Sequence, residues 1–316
     1  MIKVDEAYIN TIKAVRKKKP RLSTLYGMSK IFREVYDIPP YIPVSQVCFL
    51  EHGVNFQFNH FYSRLIESRN ELIFLDNSYR VKNFYKQTHK TAFPIGPLFP
   101  KYRKLKNIGP QPDRKGTLAF PSHSSSDYDF SSGYLNYARE LKKLPPQYQP
   151  VTICMYYYDL LNDKHKIFIE QGFDVITNGF VGESSFVDHF YQSLSKFEYI
   201  TSNHEGSYAY YALEMGLPFF LYGEGLKTAF QKIGTANGIN MTHYLQNEFL
   251  LRFSQASRFD VTKEIIITEE QKYLIDIIAD EHNILDKVEV KELVLKNWKK
   301  LLGKKALDQI KKQFGS

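Results

Sequence analysis

Between Gly116 and Tyr222 the chain switches repeatedly between short apolar runs and longer amphipathic stretches, and this limits the fold more than any other feature. The apolar runs are Gly116–Pro121, Pro150–Tyr158, Gly172–Gly179, Phe197–Thr201 and Phe219–Tyr222, rich in β-branched and aromatic residues. Between them lie helix-like stretches at Tyr134–Leu144, Leu160–Gln171, Ser184–Ser195 and Tyr208–Met215, punctuated by Pro145-Pro146, Gly172, Gly216 and Pro218. A strand–helix–strand succession with connections of a few residues makes crossovers rather than hairpins. The fold class expected is therefore α/β, with a parallel, doubly wound sheet. Its strands are expected to end at Ser122, Tyr158, Asn178, Ser202 and Tyr222.

The first hundred residues repeat the pattern less regularly. Residues 1–40 read as amphipathic helix, stopped by Asp37-Ile38-Pro39-Pro40. Pro43–Leu50 and Glu71–Asn77 read as strands, Tyr79–Thr88 as a helical patch, and Thr91–Pro97 as a short strand with a Gly-Pro turn. Lys101–Lys115 is basic, holds Gly109, Pro110 and Pro112, and lacks periodicity, as a linker does. After Gly225 the chain turns helical, at Leu226–Ile233, Thr242–Ser254 and a late helix that Thr268 and Gln271 open with a capping box. The expected domains are 1–108, 109–265 and a helical extension at 266–316.

Composition narrows the partners. Hydrophobic content of 43% with 24% charged residues is that of a folded globular chain. A net charge of +8 and a pI near 9.1 favour acidic partners: nucleotide diphosphates, anionic lipid surfaces or nucleic acid. The basic residues concentrate at Lys13–Arg21 and Lys291–Lys312, not interleaved with aromatics along one element, so no nucleic acid is expected. Cys48 and Cys154 sit in apolar runs and read as buried free thiols. The N-terminus has no apolar core of a secretory signal, and no run approaches the roughly 20 apolar residues of a membrane span, so a cytoplasmic protein is expected.

Chemistry belongs where strands end. The first long-sheet strand runs into Ser122-His123-Ser124-Ser125-Ser126, the third into Asn178-Gly179, and the fourth into Ser202-Asn203-His204-Glu205-Gly206-Ser207. Hydroxyls and a helix N-terminus at such places suit a phosphate; Gly206 allows close approach, and Ser207 is expected to cap the helix. In the first half, Glu51-His52-Gly53 follows a strand directly, where open α/β sheets carry reactive groups. A histidine titrating near neutrality suits a base, with Glu51 serving instead or orienting the imidazole.

Taken together, these strand endings, the Gly216-x-Pro218 stop and the Thr268-x-x-Gln271 helix start resemble GT-B glycosyltransferases of bacterial capsule and surface-polysaccharide biosynthesis. The His52-Gly53 pair is similar to one in the acceptor-side domain of several such families, including glycerol-phosphate-type polymerases. The resemblance spans residues 44 to 283 and implies two Rossmann-like, GT-B-like domains. It implies transfer of a sugar from a nucleotide-sugar donor to a lipid-linked glycan acceptor. The donor would contact Ser122, His123, Ser124, Ser125, Ser126, Asn178, Gly179, Ser202, Asn203, His204, Glu205, Gly206 and Ser207, with His52 or Glu51 as the base. No cofactor beyond the nucleotide-sugar co-substrate is expected, and no metal, on the reading that no Asp-x-Asp triplet supports a metal-dependent GT-A fold.

Three departures mark the resemblance, one being a first domain short for GT-B, which leaves acceptor recognition poorly defined. Glu205 and Glu214 are one position further apart than the glutamate pair of common retaining enzymes, which favours inversion. Pro121 precedes His123 with Ser122 between, so the His-Pro pair of bacterial sialyltransferases is missing. A nucleotide-sugar epimerase of GT-B-like fold and a basic nucleic-acid-binding protein remain as alternatives. At the C-terminus, Val290, Val294, Trp298, Leu301 and Leu302 recur at helical spacing among lysines, with Gly303 interrupting. That pattern fits a helix packed on the body with a solvated basic face, or one leaning on the anionic inner leaflet.

Overall fold

The computed structural model describes residues 2–15, 22–125, 129–223, 247–260 and 262–314, with the backbone alone for 22–24 and 305–314. The chain opens with strand β1 (Ile2–Lys3) and helices α1 (Glu6–Val15) and α2 (Met28–Tyr36). Helix α3 (Val44–Val47) leads into β2 (Cys48–Leu50). Helix α4 (Ser63–Ile66), strand β3 (Leu72–Leu75), helix α5 (Ser78–Thr88), strand β4 (Phe93–Pro94) and helix α6 (Leu98–Leu105) complete the first half. Strands β2, β3 and β4 form a small, wholly parallel sheet.

The second half is the doubly wound sheet that the alternation dictates. Its elements run β5 (Thr117–Phe120), α7 (Tyr134–Leu141), β6 (Val151–Cys154), α8 (Tyr157–Leu161), α9 (Lys166–Glu170) and β7 (Asp174–Thr177). They continue through α10 (Phe186–Leu194), β8 (Tyr199–Ser202), α11 (Ser207–Glu214) and β9 (Phe219–Leu221). The spatial order is β1-β7-β6-β5-β8-β9; only β1 is antiparallel, along β7. From β5 the winding therefore proceeds one way to β6 and β7, then returns to the other side of β5 for β8 and β9. The carboxyl ends of β5 and β8 flank the point of reversal, the place where open α/β sheets form a ligand crevice.

Helices α12 (Glu248–Ala256), α13 (Glu269–Ala279) and α14 (Lys287–Phe314) follow. The capping box is present: Thr268 accepts from the Gln271 backbone, and the Gln271 side chain accepts from Thr268 N at 3.1 Å. The Gln271 amide also donates to Phe219 O at 3.0 Å, so the cap ties α13 to strand β9. Helix α14 packs Val290 and Val294 against α2, α3 and β3.

Apolar burial joins the halves. Phe74, Phe99, Phe120, Tyr211 and Val294 belong to one continuous buried cluster, in which the rings of Phe99 and Tyr211 stack at 4.9 Å. Cys48 and Cys154 are buried free thiols, as expected.

Several boundaries differ from the sequence reading. Residues 44–47 are a helical turn, so only Cys48–Leu50 is strand. β6 stops at Cys154, and Tyr157 begins a helix whose first turn carries Asp159, an acid well placed at a helix N-terminus. Lys101–Leu105 is helical because Leu98, Phe99, Pro100 and Tyr102 bury one face of α6. Gly303 does not interrupt α14, which is continuous. The helix expected at 226–233 and the start of that at 242–254 lie outside the described residues.

Candidate active site

At the point of reversal the ends of β5 and β8 are linked directly. Ser122 donates from both its backbone N and its hydroxyl to Asn203 Oδ1, each at 2.9 Å. Ser202 Oγ donates to Phe120 O at 2.6 Å, a second link between the same two strands. Tyr134 OH donates to the carbonyl of Ser122 at 2.9 Å. The floor of the crevice is thus fixed by hydrogen bonds to buried serines.

Tyr208 shapes the loop that follows β8. Its ring stacks flat on Phe120 (4.8 Å, 3°), and its hydroxyl donates to His204 O at 2.8 Å and lies 2.7 Å from Ser202 Oγ. A Cβ on Gly206 would fall 2.5 Å from Tyr208 Cε1, so only glycine fits there. Gly206 is the N-cap of α11 and no side chain caps that end. Ser207, expected as the cap, is the first helical residue and turns away. Its hydroxyl accepts from Val54 N (2.8 Å) and donates to Val54 O (3.2 Å), clasping the loop after β2. Gly53 makes that contact possible: its φ is +76°, and a Cβ would lie 2.9 Å from Ser207 Oγ. Glu205 accepts a hydrogen bond from Ser254 on α12.

The loop after β5 is equally held. Ser124 N donates to Asp159 Oδ2 at 3.0 Å, and Ser124 Oγ accepts from Phe130 N at 3.0 Å. Burial raises the Asp159 carboxyl above its ordinary range while the Ser124 hydrogen bonds pull it down. His123 stands exposed beside Tyr156, rings 4.1 Å apart, and Ser125 is half-buried. Ser126 lies outside the described residues. So do the first two residues of Asp127-Tyr128-Asp129, an Asp-x-Asp triplet that corrects the expectation of none in this chain. Asp129 accepts from Ser131 N at 2.8 Å. Among the described residues no group of three acidic, histidine or cysteine side chains could hold a metal.

Asn178 and Gly179 end β7, which β6 separates from β5. Asn178 is buried and accepts from Ser193 Oγ at 3.0 Å; Gly179 sits against Glu183. The structure brings Ser122 together with residues 202–207 and places these two further along the sheet.

The facing wall carries Glu51 and His52. His52 lies between the rings of Tyr26 (5.4 Å, 29°) and Tyr62 (6.4 Å, 8°). Burial, with Arg64 nearby, lowers its pKa to about 4, so the imidazole is neutral at pH 7. His204 is likewise lowered to about 3 by burial and by His123. Glu51 is engaged by Arg80, whose Nε donates to Glu51 Oε2 at 2.9 Å.

Sequence reasoning missed the tyrosines. Tyr26 holds a left-handed backbone (φ +56°) without ending a helix, at a cost of about 1–2 kcal/mol for a bulky residue. Burial pushes its hydroxyl up to about 12 against the pull of a hydrogen bond with Tyr156. Tyr26, Tyr62 and Tyr156 thus gather around His52, and Tyr208 packs on Phe120 at the end of β5. Nothing in the local pattern separates them from the other 19 tyrosines among the 23.

The fold is thus a doubly wound α/β sheet whose reversal point meets the loop after β2 of a second parallel sheet through Ser207 and Val54. No protein family model matches the sequence, and no curated protein matches it. Among solved structures, the chain is similar to a Staphylococcus aureus MnaA–UDP co-structure (10% identity, TM-score 0.40, 84% of this chain and 73% of that one). It is similar to UDP-GlcNAc 2-epimerase from Neisseria meningitidis bound to UDP-GlcNAc (14%, 0.36, 81% and 76%). It is also similar to a histidine-to-asparagine variant of the wall teichoic acid polymerase TagF (13%, 0.37, 74% of this chain and 60% of that one). What each of those proteins binds is a property of that protein; the functional reading rests on this chain's own cleft.

Proposed function

We propose that the chain is a glycosyltransferase that moves a sugar from a nucleotide-sugar donor to a surface-glycan acceptor, lipid-linked in a capsule-type pathway. The observation that carries this reading is the reversal of winding between β5 and β8, where Ser122 and Asn203 meet beneath the N-terminus of α11. The nucleotide phosphate sits against the loops at 122–125 and 203–207, where backbone N–H groups at the uncapped start of α11 stabilise the leaving charge without metal. The hydroxyls of Ser122, Ser202 and Ser207 are engaged within the fold. The acceptor enters from the wall bearing His52. His52 takes the proton of the attacking hydroxyl while the bond from the anomeric carbon to the phosphate oxygen breaks, giving inversion. Its imidazole is neutral at pH 7 and able to accept a proton, but a pKa lowered to about 4 makes it a weaker base than the near-neutral histidine expected from sequence. Glu51, held by Arg80, supports the loop instead of reacting.

A lipid-linked acceptor favours placement at the inner face of the membrane. Lys296 and Lys299 on α14 are exposed and outward, whereas Lys287, Lys300 and Lys304 pair with Asp37 and Glu71. Among the described residues no helix is long and apolar enough to cross a membrane.

Product analysis tests the reaction. Each of a set of CMP-, UDP-, GDP- and CDP-sugars is incubated with the protein, with and without undecaprenyl-linked glycan. Sugar transfer only when acceptor is present is expected. Conversion of the donor sugar to an epimer without acceptor would replace the transferase reading by the epimerase one.

A further inference from the structure

The carboxyl edge of the small sheet carries a charge that the fold does not balance. Glu51 directly follows β2 and Asp76 directly follows β3. Between them sits Arg80, from the first turn of α5, with 0% of its side chain exposed. The guanidinium donors are spent elsewhere: two on the Glu51 carboxylate, and NH1 on Gln57 O (2.8 Å) and His60 O (3.2 Å). Asp76 Oδ1 lies 3.2 Å from Arg80 Nε as the second carboxylate on a shared guanidinium, and its other polar neighbours are backbone groups at Asn55 and Asp76 itself, with no side-chain hydrogen bond. Two carboxylates and one guanidinium leave one negative charge, on a residue only 5% exposed.

Beside Asp76 is a recess with room for about one water molecule, walled largely by buried apolar residues such as Met28, Phe74, Ile95 and Phe99, with Glu51 and Asp76 as its charged groups. It lies where the two halves touch, since Gly53 in its wall adjoins both His52 and the Ser207 hydroxyl. Burial first, then the Glu51 charge, raises the Asp76 carboxyl above its ordinary range, against the pull of Arg80 and of backbone hydrogen bonds at Asn55 and Asp76. A buried carboxylate that shares its one cation with a second carboxylate is under-satisfied, and a further O–H donor, from water or from a ligand, would complete it. A metal cation needs more free oxygen ligands than this edge offers, because Glu51 is already committed to Arg80. A single O–H group fits both the size and the polarity.

We propose that this recess is a hydroxyl subsite, in which Asp76 accepts a hydrogen bond from one O–H group of a polyhydroxylated acceptor seated in the cleft. The inference rests on the acceptor reading above and adds the feature that acceptor must present: a free hydroxyl able to reach the end of β3.

The test uses the full chain and its Asp76→Asn and Asp76→Leu variants at pH 8. Thermal melting is recorded first. Binding of glycerol and of the methyl glycosides of glucose, galactose and N-acetylglucosamine is then followed by saturation-transfer NMR without nucleotide sugar. The wild type is expected to bind at least one glycoside, and Asp76→Leu to weaken it about tenfold, the scale of a hydrogen bond to a charged group. Both variants are expected to melt at or above the wild type, because Arg80 and Glu51 are left balanced. The proposal is overturned if the wild type binds none of the probes or if Asp76→Leu binds them unchanged. It is equally overturned if both variants melt well below the wild type, which makes Asp76 a structural counter-ion. With no nucleotide present, failure here leaves donor binding untouched, and failure of donor binding leaves this result standing.

Discussion

Gly206→Ala tests the architecture of the crevice with one carbon atom. The added Cβ would stand 2.5 Å from Tyr208 Cε1, 2.7 Å from Cζ and 3.0 Å from the hydroxyl. Non-bonded carbons settle at about 3.5–4.0 Å, so the ring must move by roughly an ångström. It has little room, being stacked on Phe120 and tied by its hydroxyl to Ser202 and His204. Overpacking of this kind costs about 1–3 kcal/mol, and each hydrogen bond lost adds about 1 kcal/mol. A total near 2–4 kcal/mol is expected, seen as a fall of several degrees in Tm. Truncating the obstacle relieves the clash, so Gly206→Ala with Tyr208→Leu should cost at least about 1 kcal/mol less than the two changes summed. Thermal melts of the four proteins close the cycle. If Gly206→Ala melts with the wild type, or the cycle is additive, Tyr208 is not what demands glycine there.

Other predictions follow from the same contacts. Ser207→Ala leaves Val54 N without its acceptor; about 1–2 kcal/mol of stability should go, and hydrogen exchange at the Val54 amide should quicken. His52→Ala should lower turnover far more than donor affinity, since a base acts on the acceptor in the transition state; equal losses in both would return His52 to a packing role. Acid should destabilise the fold through His52 and His204. Their folded pKa values, about 4 and about 3, lie below the unfolded 6.5, so the unfolded chain takes up protons first. Stability from these residues is complete above pH 6.5 and drains as pH falls through those values, and a His52→Asn/His204→Asn variant should show a flatter acid limb in denaturant titrations. Glu214→Ala strips Arg103 of its two-pronged partner (2.6 and 3.1 Å) at the junction of α6 and α11, and a Tm lower by several degrees is expected.

The larger sheet was legible because its signal is redundant. Each of its long-sheet strands is bounded by glycine, proline or polar residues, and each crossover helix buries one face, so a shift of one boundary does not alter the order. The end of β8 at Ser202 and the helix that Gly216 and Pro218 stop emerge close to where sequence places them. What stayed hidden depends on contacts distant in sequence. Ser207 looks like a cap from its neighbours alone, but Val54, 153 residues away, captures its hydroxyl. Glu51 looks like a candidate base until Arg80 arrives from α5. Asp76 sits in an apolar run ending Leu75-Asp76-Asn77 and gives no local sign that it faces a recess. The structure of α6 was missed because its basic residues conceal the apolar face of Leu98, Phe99 and Tyr102.

The central claim is that a nucleotide sugar binds at the reversal of the sheet, and a thermal-shift panel tests it most directly. The protein is melted with CMP-, UDP-, GDP- and CDP-sugars at millimolar concentration, beside Gly206→Val, in which the loop after β8 cannot keep its shape. A ligand at a hundred times its Kd stabilises the native state by about 2.7 kcal/mol, enough to raise Tm by several degrees. The account predicts such a shift for one nucleotide class in the wild type and none in Gly206→Val, measured against that variant's own baseline. No shift with any nucleotide sugar, or an equal shift in both proteins, would contradict it.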